Sequence, residues 1–195
     1  MKKALIITAG VLGTLIAFTI VFSFLLSRHL KEMEENAELT WQLSPALIEQ
    51  LRGKELDDFP YTPAPVQWGD KYLQVDDGHI VDGRGLPISF TYNRKRNEKL
   101  NTDRFISDSD IKGLVWLTWG LEVVGHYKDV FGKKEDNANQ VYYILSYLDL
   151  AQNAILARDT IWGSEPPKTT NSNGATGKVP KEEEVIKAIR LRVEQ

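Results

Sequence analysis

The chain opens on an apolar run, Ala4 through Leu26, of 23 residues without a charged side chain. As a helix rising ~1.5 Å per residue it spans ~34 Å, enough for a hydrocarbon core of ~30 Å with slight tilt. A cleaved signal peptide has a shorter apolar region and ends in a small-x-small site. Phe24-Leu25-Leu26-Ser27-Arg28 supplies no such site, so residues 1–27 read as an uncleaved transmembrane signal anchor. Lys2 and Lys3 precede the run without an acid, and Arg28 and Lys31 follow it. The short, acid-free N-terminal flank predicts the N-terminus inside and the bulk of the chain outside. In a bacterium that is a single-pass inner-membrane protein with a periplasmic domain. Ala9, Gly13 and Ala17 form a small-residue stripe along which two such helices can approach closely, a candidate homodimer contact; the abundance of small residues in membrane helices generally gives the same pattern.

Beyond the anchor, Leu26, Leu30, Met33, Ala37 and Thr40 follow a 4-3-4-3 spacing. That is the seam of a two-helix coiled coil, about two heptads long; a stiff stalk with a solvated acidic face gives the same pattern. Ser44-Pro45 and Gly53 bracket a short helix with Leu47, Ile48 and Leu51 on one side. Residues 28–53 therefore read as a helical stalk. Pro60, Pro63 and Pro65 forbid helix in 54–67, an extended connector.

Residues 68–163 read as an extramembrane α+β domain. Between 68 and 93 the period shortens to two. Asp-Gly pairs at Asp77-Gly78 and Asp82-Gly83 separate β-rich runs and predict two or three antiparallel strands. Pro87 places its strand at an edge or marks its first residue. The polar stretch 93–104 reads as a loop, and Ser107-Asp108-Ser109-Asp110 as caps for a helix. Residues 111–131 are apolar nearly all round, as in a buried central helix. Gly113, Gly120 and Gly125 and the aromatic run Leu114–Trp119 keep a pair of buried strands open. Residues 138–162 place Val141, Leu145, Leu148, Ala151 and Ile155 on one helical face. Residues 164–180 have a linker composition. Residues 181–195 form an amphipathic helix with Glu182–Glu184 in its first turn and Val185, Ile186, Ile189 and Val193 on one side. The fold class expected is thus α+β: one N-terminal transmembrane helix with a juxtamembrane stalk, then a small domain of a two- or three-strand hairpin region and two or three helices.

Composition narrows the chemistry. Lys+Arg is 24 against Asp+Glu 27; removing Lys2 and Lys3 leaves 22 against 27 beyond residue 27, a mildly acidic body with no reason to meet nucleic acid. Cysteine is absent, which excludes disulfides, thiolate nucleophiles and thiolate-ligated metals. His29, His79 and His126 share no ligand spacing. Asp76, Asp77 and Asp82 sit where turns require Asp and Gly. The run Asn173–Val179 fails as a phosphate loop, because Val179 replaces the hydroxyl residue after Lys178. The cations at 94–104 lack interleaved aromatics and read as a solvated loop.

No catalytic residue, metal ligand or cofactor is assigned. The function expected is a non-catalytic interaction or assembly subunit of a cell-envelope complex. Its partners are the lipid bilayer and other membrane or envelope proteins, met through Ala9, Gly13, Ala17, Leu30 and Met33 and through the tail face Val185, Ile186, Ile189 and Val193. Two rivals remain. An envelope hydrolase would need two of Asp76, Asp77, Asp82 and His79 at ~5–9 Å in a cleft. A small-ligand sensor would need an apolar cavity of several hundred Å³ beside Trp116 and Trp119.

Overall fold

The structure, a computed structural model, describes residues 2–81, 87–128, 135–168 and 175–194; the side chains of residues 2–17, 79, 81, 87 and 135 lie outside this description. The chain divides into two compact units, one up to Glu38 and one from Leu39 onward. Helix α1, Lys2–Trp41, makes up the first and runs into the second. In the first unit the side chains Phe18, Ile20, Phe22, Phe24, Leu25 and Leu26 stand exposed. Among the described residues no helix is long and apolar enough to cross a membrane; of the span Ala4–Leu26 these include side chains only from Phe18 onward.

The second unit is α+β, built on a mixed six-stranded sheet: β1 (Tyr72–Val81), β2 (Pro87–Tyr92), β3 (Gly113–Lys128), β4 (Glu135–Asp149), β5 (Ala154–Trp162) and β6 (Ala175–Thr176). The order is β2-β1-β3-β4-β5, with β6 beside β4. Strands β1 and β3 run parallel, as do β4 and β6; the other neighbours are antiparallel. β2 lies at an edge, where Pro87 costs no ladder bond.

Six strands replace the two or three expected, because the two segments read as helices form β3, β4 and β5, and the stretch read as a linker contributes β6. Residues 111–131 are apolar on both sides since the inner half of β3 is a central strand buried on both faces, from Gly113 to Leu117. The helical spacing of Val141 and Leu145 in β4 coincides with strand alternation, whereas that of Leu148 does not. Val141, Leu145 and Tyr147 share a face, while Leu148, of opposite parity, falls on the other; the register shift beside it lies on β5, where Leu156 is the extra residue. Asp149–Asn153 makes the turn into β5. The Asp149 carboxylate accepts from the Gln152 amide at 2.8 Å, and Asn153 takes φ 53°. Conversely, the loop expected at 93–104 contains helix α3, Arg94–Leu100, capped by Asn93 and closed by Asn101 at φ 61°. Ser107–Asp110 start no helix; the Asp108 carboxylate accepts from the Asp110 amide in a local turn.

Two apolar layers flank the sheet. On one face Leu43, Leu47, Ile48 and Leu51 pack with Leu73, Phe90, Leu114 and Trp116. The stretch expected at the end of a stalk therefore belongs to this core: helix α2, Pro45–Leu51, is capped by Ser44 and buries its apolar side. Thr40, expected on a coiled-coil seam, is buried, and its hydroxyl accepts from the Tyr92 amide at 2.8 Å. On the other face Val185, Ile189 and Val193 of α4, Glu182–Val193, pack with Val115, Leu145, Tyr147 and Leu156.

The connector and the linker are also built in. Thr62 and Ala64 donate to Ile155 and Leu156 of β5, while Pro63 and Pro65 occupy the alternating positions that need no donor. Residues 163–168 and 175–180 cross where Ser164 donates to the Lys178 carbonyl at 3.0 Å. A Cβ on Gly163 would fall on the Lys178 carbonyl, and one on Gly177 on that of Ser164.

Gly163→Ala and Gly177→Ala are each expected to cost about 2 kcal/mol by overpacking backbone. Because both open the same crossing, the double variant should cost less than the sum in urea titrations; additive losses would show the crossing to be independent contacts. A pH expectation follows from the core. Burial pushes the Tyr72 phenol up to about 12, and raises those of Tyr92 and Tyr147 further. Above pH ~10 the unfolded chain gives up these protons while the folded chain keeps them. Their stabilisation is therefore complete below pH ~10 and is lost as pH rises toward 12. A urea midpoint flat from pH 9 to 12 would contradict this.

Candidate functional site

The ladder between β3 and β4 runs from Gly113 opposite Asp149 to Lys128 opposite Glu135. Strand side chains alternate between faces. Leu117, Trp119, Leu121 and Val123 therefore share the α4 face, with Tyr143 opposite Trp119 and Val141 opposite Leu121. The helices cover only the inner half of this face. Leu117 is buried, but Trp119 is 66% exposed, Leu121 50% and Val123 48%. Across Leu117, Trp119, Leu121, Val141, Tyr143 and Val179 runs an apolar groove of about 520 Å³. The reverse face of the hairpin is filled differently: the Tyr142 ring lies over Gly120 and packs against Trp162 with centroids 5.1 Å apart.

The polar end of the groove is held by Arg96. The residue is 8% exposed, and its guanidinium bonds Asp76 on β1 at 2.5 Å through Nη1 and Glu182 on α4 at 3.1 Å through Nε. Asp76 also accepts from Gln74 at 2.8 Å and Asn93 at 2.5 Å. One cation thus ties α3, β1 and the first turn of α4 together. The basic cluster read as solvated contains this buried residue; Arg104 instead pairs with Asp70 at the surface. The opposing influences on Arg96 are burial, which disfavours its charge, and the two carboxylates, which favour it; the net effect raises its pKa. Beside it, half-burial raises the Tyr143 phenol.

The expected contact residues are distributed unequally. Ala9, Gly13 and Ala17 lie in α1, with side chains outside the described residues. Leu30 and Met33 are exposed on α1, at 55% and 54%. Val185, Ile189 and Val193 are buried and Ile186 is half-buried against the same core, so the tail face is spent within the chain rather than offered to a partner. The physical reason is proximity: a short tether holds the helix beside an apolar sheet face. Of the turn carboxylates, Asp76 is fully engaged, and Asp77 follows it on a strand whose successive side chains diverge. Asp82 and the side chain of His79 lie outside the described residues. His126, expected in a buried helix, is exposed on β3. Among the described residues no group of His, Cys, Asp or Glu is arranged to hold a metal ion. Trp119 was noticed in the sequence as part of an aromatic cluster. Its separation from Trp116 by an odd number of residues is the strand-parity signal that one faces the core and the other does not.

The fold and site define a class, an α+β domain on a mixed sheet with an uncovered apolar hairpin face. No known protein-family pattern matches the chain, and among curated proteins and solved structures none is found to match it.

Arg96→Ala is expected to destabilise the domain by about 2–3 kcal/mol, less than for a fully buried pair because Asp76 and Glu182 are each 31% exposed. Amide exchange should accelerate first in α4. Unchanged protection there would show that α4 is held without Arg96.

Proposed function

We propose that this chain is a membrane-anchored, non-catalytic interaction or assembly subunit of a cell-envelope complex, with its α+β domain on the extracytoplasmic side. What supports the reading is Trp119: a large aromatic 66% exposed on β3, continuous with Leu121 and Val123. Contiguous exposed apolar surface of this kind marks contact sites, and aromatic residues dominate their energetics. The docking surface assigned is the outer β3–β4 face, in place of the tail helix. The partner it suits presents an apolar segment that fills the groove beside Tyr143. Anchoring by residues 1–27, with the small-residue stripe as a contact between two copies, completes the proposal and rests on the length and flanks of the apolar run.

A ligand sensor is the second reading, favoured by the volume and apolar lining of the same groove. Trp116 takes no part in it, being fully buried edge-on to Phe90 with centroids 5.3 Å apart.

The deciding experiment is affinity purification of the full chain from detergent-solubilised membranes, with a photo-crosslinking residue in place of Trp119. A stoichiometric companion crosslinked there is expected. Trp119→Lys should lose it while keeping the wild-type urea midpoint, since the residue is solvated in the isolated domain. A chain recovered from the soluble fraction beginning near residue 28 would remove the anchor, and a companion retained by Trp119→Lys would remove the docking surface.

A further inference from the structure

Strand β3 is paired on its second side only in part. Its parallel pairing with β1 ends at Asp76 opposite Leu117, and β1 then continues with β2 through a register shift between Asp77 and Ile80. From Thr118 onward β3 pairs with β4 alone among the described residues. Which of its backbone groups are left over follows from the neighbouring ladder. Gly163 donates to the Val141 carbonyl and Gly177 to that of Asn139, so both carbonyls point away from β3. Leu121 stands opposite Val141 and Val123 opposite Asn139. In an antiparallel ladder two residues so opposed both turn their N–H and C=O outward. The groups of Leu121 and Val123, and by alternation those of Trp119, therefore face the open edge of β3. No described residue bonds to them.

Two cavities flank this edge. On the α4 side is the apolar groove, which borders Asp77, Leu117 and Trp119. On the reverse side a polar hollow of about 340 Å³ borders Asp77 and Thr118. Asp77 is the first residue of β1 beyond its last pair with β3 and lines both, so the gap between the parting strands is reached from either face. The open stretch is bounded at its far end. A register shift between Val123 and Gly125 interrupts β3, and His126 and Lys128 follow it. Thr118 to Val123 extends ~20 Å, the length of an ordinary strand.

Free edges are usually blunted by charge, proline or a bulge, whereas this one carries Trp119, Leu121 and Val123. The backbone restricts what can cover it. A helix has its own amides paired and an acyl chain has none. An extended chain presents donors and acceptors at the matching repeat of ~6.8 Å. It also sends alternate side chains to opposite faces, one set toward the groove and the other toward the hollow. The groove is apolar, while the hollow is bordered by Glu55, Asp57 and Asp77 against Arg158, so positive or hydroxyl side chains suit it. A second copy of β3 does not fit: pairing it with itself about Leu121 would set Gly125 of one copy opposite Leu117 of the other, where β1 already lies. We propose that the open edge of β3 takes up an extended segment of a partner chain as an added strand beside Trp119–Val123, apolar at alternate residues, with lysine, arginine or threonine between them. The inference rests on the docking face assigned above and adds how the partner is held there.

The test is residue-resolved amide exchange of the full chain in detergent micelles, alone and with the capped octapeptide Lys-Val-Thr-Val-Lys-Val-Thr-Val. In the free chain the amides of Trp119, Leu121 and Val123 should exchange at least about a hundredfold faster than those of Thr118, Gly120 and Glu122, which face β4. The peptide should bind saturably, tighter than about 1 mM, and slow the three fast amides about tenfold or more. N-methylation of one alternate set of its amides should abolish binding, and of the other set should be tolerated, because only every second amide meets the edge. Gathering the valines into one run, or exchanging lysine for glutamate, should weaken binding about fivefold or more. Slow exchange of the three amides in the free chain would overturn the proposal: if it vanished on dilution, a second copy covers the edge, and if it persisted, the chain covers its own. No binding up to about 5 mM, or equal tolerance of both methylated sets, would overturn it as well. A companion lost by Trp119→Lys alongside any of these results would leave the docking face standing without the added strand.

Discussion

The β3–β4 ladder is longer than anything available to cover it. At ~3.4 Å per residue the sixteen residues of β3 extend ~54 Å, while the twelve of α4 rise ~18 Å and the seven of α3 ~10 Å. The helices can shield only the inner half on their face. There the strand is buried from Gly113 to Leu117 and supplies the core; beyond Thr118 the same alternation carries its apolar side chains into solvent. The core, the apolar groove and the exposed Trp119 are consequences of this one mismatch.

Within the covered half, position is enforced by charge as much as by apolar contact. Arg96 reaches α4 and β1 from a helix of only seven residues. Such a guanidinium is expensive to bury unless its donors are answered, and here two carboxylates from different elements answer them. Arg192, near the other end of α4, bonds Asp159 on β5 at 3.0 Å through Nε. The tail helix is thus held at both ends over an apolar stripe, which is why a segment composed like a tethered arm behaves as a structural layer. The crossing at Gly163 and Gly177 brings the chain back to it. Opposite, the cover given by α2 also stops short of the outer sheet.

Several elements were legible locally. The cap at Ser44, the proline at the start of α2, the strand around Phe90 with Pro87 at an edge and the acidic first turn of α4 all follow from interactions within a few residues, which a sequence displays directly. Asn93 was equally readable as a cap, but the density of charge from Arg94 to Arg104 disguised a helix whose third residue is buried. The larger error lay in 111–131 and 138–162. Apolar residues on every side fit a buried helix and a doubly covered strand equally well. The β-rich composition of Tyr142-Tyr143-Ile144 and the asparagine at 153 were the signals that separated them. Of the groove, the sequence showed the aromatic residues without their division between faces.

By itself, then, the sequence determined the division into an apolar leader and an acidic α+β body, the caps and breaks of its short elements, and the chemistries that a chain without cysteine or paired histidines lacks. Only the tertiary structure decided which apolar surfaces are consumed and which remain. That choice depends on pairing between residues dozens of positions apart, and on whether a helix is long enough to cover the strand beneath it. Neither quantity is written in any local pattern.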